Sequence, residues 1–471
     1  MQVQPIQALS RECSHRAAQI VAVQVVNARL AALRLAMSVA LLAAIASPAL
    51  AADVSLPAKA VPRGVRSGEF TLTPSLQLLG HHDTNLFNSE ASEVAAGNAI
   101  VGATSIRFLP GLGLSNDAES NISFSFNARG DARLYLSDNE AVQSVQSVGG
   151  TADLDVIFGK RKPISFALSD NFNRAIRANN WETTQAFNRN ANTVGARVEF
   201  HPGSIPERRP FNLMLAGTYS FERFDDFTSG DADTIGTRLT SSWRFLPKTA
   251  AVLDAGLGFR TLANNDLVLS GLTSNSMPFR ARLGLNGAIT QRISVQLMAG
   301  WGMSNHDKGE SFNGLLANAG VTISPGEATR IALQYDKDFR DSLFANYSST
   351  HRLSAALRQK FGSLMEMSAS FGVAFVQYGL FTPKAGVDVE GVVAAAGSST
   401  SGYRNDVNLD GALTADFEVS RLIAVNIGYR LRGVQTPFRV LGKAGTASAG
   451  KVLDAGSYMA HEMAAGVTLR Y

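Results

Sequence analysis

A regular alternation of link lengths constrains this chain more than any other feature. Eighteen stretches of alternating apolar and polar residues fall at 69–79, 100–115, 120–136, 148–158, 163–173, 191–200, 210–224, 233–245, 250–261, 277–289, 293–303, 313–323, 328–339, 349–360, 365–378, 403–417, 421–432 and 457–471. Successive side chains on a strand point to opposite faces, so each stretch reads as a two-faced strand. Short links such as Gly159-Lys160-Arg161-Lys162 and Thr290-Gln291-Arg292 take turns with longer ones, among them 174–190, 304–312, 340–348, 379–402 and 433–456. His201–Arg209 is the one long member of the short set. A soluble sandwich has no reason to keep that parity. A transmembrane barrel does, with short periplasmic turns, longer outer loops and, in single bacterial chains, an even strand number. The expected fold is all-β: a transmembrane antiparallel β-barrel of about 18 strands over 69–471.

The closing stretch shows the two faces plainly. Met459, Met463, Ala465, Val467, Leu469 and Tyr471 share one face, with His461 its only polar member. Ala460, Glu462, Ala464, Gly466, Thr468 and Arg470 share the other. Parity puts both ends of the barrel chain at the periplasmic rim, with Phe70, Trp243, Phe245 and Tyr471, and puts Tyr219, Phe221, Trp301 and His461 near the outer rim. On this reading the terminal aromatic, Tyr471, is an assembly signal read by the barrel-assembly machinery.

Composition agrees. Charged residues make up 17% and mean hydropathy is +0.02, the intermediate value produced when lipid-facing and lumen-facing residues alternate. Past the leader no run of about 20 apolar residues suggests a membrane helix. A net charge of +4 without a basic cluster gives no reason to expect nucleic acid. The one cysteine, Cys13, falls in the leader, so the mature chain has no disulfide or thiol chemistry. Residues 38–51, SVALLAAIASPALA, follow Arg29 and Arg34 and end in a small-x-small pattern. They read as a signal peptide (1–51, with a long leading region), cleaved between Ala51 and Ala52. Residues 52–68 then form a short periplasmic segment. Export without a later stop-transfer helix leaves the periplasm, the outer membrane or the medium, and the barrel pattern points to the outer membrane of a Gram-negative bacterium, with lipid as the surrounding partner.

The inward register is rich in charge. It holds Arg107, Arg129, Arg133, Arg197, Arg238, Arg244, Arg260, Arg280, Arg282, Arg330, Arg352, Arg358, Arg404 and Arg430, against acids that include Asp131, Asp153, Asp155, Glu199, Asp254, Asp336, Asp406 and Asp410. Facing lipid, such charges would cost several kcal/mol each near the midplane. In a wet lumen they are tolerated, and the arginine excess implies a preference for anions. The competing reading is that they neutralise one another as wall scaffolding. About eighteen strands leave room for an aqueous channel. The Gly/Ala/Ser-rich links 384–402 and 433–456 are candidates for a constriction loop or for solvated loops.

No catalytic, metal or cofactor set emerges. HExxH, GxSxG and P-loop motifs are missing, so a non-enzyme is expected. His81-His82-Asp83 reads as solvated outer loop rather than a metal site, because adjacent histidines rarely converge. A Ser-His acyl hydrolase in the wall needs no local motif and stays as a third class.

Leu72-Thr73-Pro74-Ser75-Leu76, followed by His82-Asp83-Thr84-Asn85-Leu86-Phe87, resembles the opening of an outer-membrane β-barrel porin family. Its members often accompany exopolysaccharide biosynthesis and export genes. The pattern is a strand with an internal Pro and then an Asp-x-Asn turn; His82 stands where the family often has an aromatic. The resemblance implies a conduit or accessory for polysaccharide export, working with a periplasmic export protein. The alternatives are a general diffusion porin for small, weakly anionic solutes, or an outer-membrane enzyme or structural barrel.

Overall fold

A computed structural model describes residues 64–89, 100–116, 121–160, 162–178, 182, 187–202, 210–225, 230–263, 274–343, 345–380, 389–394, 397–399, 402–442, 452–454 and 456–471. The leader, including the cleavage site at Ala51 and Ala52, lies outside them. Eighteen long strands form the wall. The first six are β1 (Phe70–Asp83), β2 (Ala103–Asn116), β3 (Ile122–Tyr135), β4 (Val148–Phe158), β5 (Ile164–Ala178) and β6 (Phe187–Phe200). The next six are β7 (Phe211–Phe224), β8 (Ala232–Leu246), β9 (Thr249–Leu262), β10 (Ser276–Ala288), β11 (Ile293–His306) and β12 (Phe312–Ile323). The last six are β13 (Thr329–Asp341), β14 (Tyr347–Phe361), β15 (Met365–Tyr378), β16 (Asn405–Glu418), β17 (Ile423–Gln435) and β18 (Tyr458–Arg470). Each pairs antiparallel with its neighbours in sequence, and β1 pairs with β18 from Ser75↔Arg470 to Asp83↔Glu462. The sheet therefore closes on itself as an 18-strand antiparallel barrel, which leaves no exposed edge in the wall.

The predicted alternation of faces holds around the wall. In β18 the odd positions Met459, Met463, Val467 and Leu469 are exposed outward, while Ala460, Glu462, Ala464, Thr468 and Arg470 are buried inward. Leu215, Ile235, Leu283, Leu315 and Leu353 lie more than half exposed on the same outer surface. Apolar exposure of that extent suits hydrocarbon, not water. A 14-residue strand at ~3.4 Å per residue and ~40° tilt reaches about 35 Å, more than a bilayer core. Aromatics collect at the short-turn rim: Phe70 against Phe124, Phe158 against Phe166, Phe200 against Phe211, and Trp243 against Phe245, at ring separations of 6.0–6.5 Å. Toward the other rim the Tyr335 and Tyr429 hydroxyls meet His351 and His461 at 2.9 and 2.8 Å. His461 thus keeps its imidazole on a tyrosine partner at the outer face.

Turn chemistry sets the short rim. Gly159 (φ +71) and Gly362 (φ +63) occupy left-handed positions that favour glycine. In the links after β10 and β16, the hydroxyls of Thr290 and Ser420 accept from the second and third amides on, at 3.0–3.2 Å. The stretch read as a plain periplasmic segment contributes structure at its end. Val65–Ser67 turns back and pairs with Phe70–Leu72, and the Gly64 amide donates to the Tyr471 carbonyl at 3.2 Å. The Tyr471 amide in turn reaches the Pro74 carbonyl. Pro74 sits where β18 has ended, so its missing N–H breaks no ladder bond on that side.

Three boundaries differ from expectation. β1 runs on to Asp83, because β2 and β18 both keep pairing with it, so His81-His82-Asp83 lies in the strand and not in a loop. The links at 307–311 and 342–346 are also shorter than expected, since their strands extend past the apolar band. Finally, β12 and β13 stop pairing above Ala317↔Lys337. Phe312, Leu316 and Phe339 fill that parting as a buried cluster with the partly buried Tyr347 packed against it, and the Arg280 guanidinium lies 4.1 Å from the Phe339 ring centre.

Candidate functional site

The lumen is the candidate site, and strand parity delivers its lining. Many predicted charges meet in cross-strand pairs. Arg197 forks onto Asp155 (3.1 and 3.3 Å) and also holds Glu199 (3.0 Å). Arg238 pairs with Asp254, Arg280 and Arg282 share Asp338 (3.2 and 2.6 Å), and Arg358 pairs with Glu366. Asp153 accepts from Asn171, and Asp336 accepts from Asn318 at 3.0 Å. Arg330 faces Arg358 across β13 and β14 near the short-turn rim, and Arg352 faces Asp336 higher up. Arg244 is exposed at the short-turn rim. Arg260 falls on the inward register of β9 opposite Ser276.

The expectation of a uniformly wet wall needs correction for Arg107, Arg404 and Arg430. They are 3%, 0% and 1% exposed. Arg404, just ahead of β16, holds Asp406 at 2.6 Å and stands 4.9 Å from the Tyr378 ring centre; Arg430 holds Asp410 at 3.0 Å. A link adds to the burial beside Arg404. Phe438, in the link between β17 and β18, packs inward on Ala374, Val376 and Tyr378. The same link pairs with the one between β15 and β16 in a small sheet of Val389–Ala394, Gly397–Ser399, Arg439–Gly442 and Val452–Asp454. The two Gly/Ala/Ser-rich links therefore pair with each other instead of standing apart as solvated loops.

A second contact reaches across the barrel at its mouth, through Glu182, and its sequence did not mark it. Glu182 lies between β5 and β6, yet its partners belong to β13, the link after it, and the start of β16. Its carboxylate accepts from Ser342 Oγ (2.8 Å) and the Leu343 amide (2.5 Å) and lies 3.5 Å from the Arg340 guanidinium. Its carbonyl accepts from Arg404 Nη1 at 2.5 Å. In a ring of eighteen, these partners lie about seven or eight strands from Glu182 in either direction, so the contact spans the barrel. Sequence gave no signal for it, because a lone glutamate in a polar link has no periodicity to read.

Arg340, which meets Glu182, also lines a cavity of ≈ 680 Å³. Arg107 and Arg133 share Asp131, with contacts of 2.6–3.1 Å. Arg129 donates to Gln77, Arg189 holds Glu222 at 3.0 Å, and Arg432 bridges Asp83 and Glu462. The turn His82–Phe87 roofs part of the cavity. Asp83 accepts from the Asn85 amide (2.8 Å), and Asn85 Nδ2 donates to the Ser89 and Met459 carbonyls. With Thr84 and His461 exchanging hydrogen bonds of 2.9 and 3.0 Å, the Asp-x-Asn turn fastens β1 to β18 at the seam. Arg177 donates to the Leu86 carbonyl and lies 4.7 Å from the Phe87 ring centre. Leu86 packs on Ala103, Tyr135 and Val142, the last from the one-turn helix α1 (Glu140–Gln143).

Among the described residues, no group of three or more His, Cys, Asp or Glu could hold a metal ion. His81 and His82 point to opposite faces. His81 approaches Glu462 inside (3.6 Å), and His82 meets Thr104 outside (2.9 Å). Ser165 and His201 come within 3.4 Å, but among the described residues His201 Nδ1 is buried with no hydrogen-bond partner, so these residues supply no orienting acid of a hydrolase triad.

The closed ring, the apolar outer surface and the charged interior define the class: a membrane-type β-barrel with a polar lumen. No protein-family model matches the chain, and no curated protein does. Among solved structures it is similar to OpdQ of Pseudomonas aeruginosa (14% identity, TM-score 0.43, covering 85% of this chain and 98% of that one). It is similar to the outer membrane protein OpdK of the same organism (10%, 0.42, 85% and 99%) and to the FrpB iron transporter of Neisseria meningitidis (10%, 0.42, 85% and 81%). Likeness at this level carries no argument, and the fold assignment rests on this chain's own strand pairing.

Proposed function

We propose that the chain is an outer-membrane porin that admits small solutes and prefers anions. The observation that carries this reading is the mouth. Glu182, between β5 and β6, is held to residues on the far side of the barrel, in a lumen lined by arginines. A contact across the opening narrows it in favour of small molecules, and arginine side chains in a confined lumen favour negative charge.

Export of polysaccharide is the second reading, supported by the Leu72–Phe87 resemblance. The structure gives that motif a further role as the seam fastening of β1 to β18, which a barrel carrying any cargo would need. The two readings part in a liposome-swelling series. The small-solute porin passes mono- and disaccharides and excludes longer oligosaccharides, whereas equal swelling rates up to polymeric sugars would favour the conduit. Deletion of the gene with loss of surface polysaccharide and unchanged small-solute uptake would also overturn the first reading.

A further inference from the structure

Resting on the porin reading, we infer that the ≈ 680 Å³ cavity is a binding site for a hydroxylated carboxylate of sugar-acid size. Its volume falls within the range of small-molecule sites. Its charges are divided. On the side built by β2, β3 and β5, Arg107, Arg129, Arg133 and Arg177 line the cavity with a single carboxylate, Asp131. On the side built by β1, β17 and β18, Asp83 and Glu462 line it around a single arginine, Arg432. One end therefore offers guanidinium donors suited to a carboxylate, and the other offers carboxylate acceptors suited to hydroxyl groups. Thr151, Asn173 and Tyr135 add neutral hydrogen-bonding groups.

Arg177 is the residue that most needs a ligand. It sits at the irregularity in the β5–β6 register between Ala175 and Ala178, with a left-handed backbone (φ +48). A non-glycine residue held there is uncommon and needs support from its surroundings. The Leu86 carbonyl and the Phe87 ring supply part of that support, yet among the described residues Nη1 is buried without a hydrogen-bond partner, as is Nε of Arg189, which stands opposite Ala175 on β6. Buried guanidinium donors left unmade are costly, and a carboxylate bound in the cavity would satisfy them once these side chains turn toward it. A simple carboxylate would use only this end. A neutral sugar would use only the other.

The test is calorimetry on the purified full-length barrel in detergent, with galacturonate, acetate and glucose as probes, beside galacturonate block of chloride current in planar bilayers. Galacturonate is expected to bind at about millimolar concentration, at least ~10-fold more tightly than acetate or glucose. Arg177→Gln and Arg133→Gln should each weaken galacturonate by ~10-fold, while Asp83→Asn should erase its advantage over acetate. Heat-modifiable mobility on gels reports folding, and Arg177→Lys, which keeps the charge, covers a glutamine variant that fails to assemble. Equal affinity for the three probes, or galacturonate binding unchanged by all the variants, would overturn the site. Binding without conductance would sink the porin reading and leave the site standing; conductance without binding would do the reverse.

Discussion

Truncating Glu182 to alanine should loosen the contact this residue makes across the mouth. The substitution removes two hydrogen bonds to a carboxylate, from Ser342 Oγ at 2.8 Å and the Leu343 amide at 2.5 Å, in a site where the glutamate side chain is 6% exposed. Hydrogen bonds to charged groups contribute about 1.5–3 kcal/mol each, so the pair is worth roughly 3 kcal/mol at the lower end. The 3.5 Å contact with Arg340 adds little, because that guanidinium is 53% exposed and an ion pair in water contributes about 0–1 kcal/mol. Arg404 still holds the Glu182 carbonyl, so that anchor remains. A loss of roughly 3 kcal/mol raises the population of the detached state by about 100-fold. Single-channel recording should then show frequent excursions to a larger conductance that the parent channel rarely visits. Glu182→Gln retains an acceptor and should fall between the two. If alanine leaves both mean conductance and its fluctuations unchanged, the Glu182 contact does not limit the pore and the reasoning fails.

Other consequences follow from the wall itself. Phe339→Ala empties the parting between β12 and β13 and should cost about 3–5 kcal/mol, read as a lower temperature for the gel-mobility shift; an unchanged shift would mean the cluster around Phe312 and Leu316 does not seal the wall. Deleting Tyr471 removes the amide on the Pro74 carbonyl and the carbonyl that accepts from Gly64, together with the rim aromatic. Folded barrel in the membrane should drop several-fold while precursor export continues, and normal levels would count against its role in assembly. Asp225, outside the wall strands, is held below the usual carboxylate range by its hydrogen bond from Arg174, 2.7 Å away. Its contribution is thus present above the ordinary carboxylate pKa and fades as pH falls through the lowered one. The small difference in melting between the parent and Asp225→Asn should stay constant from about pH 8 to 5 and vanish only on further acidification; a difference that already fades near neutrality would refute the pairing.

Most of the wall was legible because the bilayer imposes a strict two-residue period, and a one-residue slip in Met459–Tyr471 would turn its apolar face to water. The eighteen strands, their order and the sides on which Arg197, Arg238 or Asp155 fall all follow from that period. Strand ends were less visible: past the apolar band nothing in Gly80–Asp83 distinguishes a paired strand from a polar loop, and only β2 and β18 decide it. The lumen's contents were illegible for a different reason. Whether Arg404 meets water or lies under Tyr378 and Glu182 depends on links far away in sequence, and a polar link that folds inward has the same composition as one that folds outward. The basic register announced a charged interior but could not say which arginines gather below the Asp-x-Asn turn.

The sign of the reversal potential, measured for the purified protein in planar bilayers under a tenfold KCl gradient, tests the central claim most directly. A potential displaced toward the chloride equilibrium value is expected, and neutralising Arg129 and Arg133 together should move it toward zero. Cation preference, or bilayers that remain silent with correctly folded protein, would contradict an open barrel lined for anions.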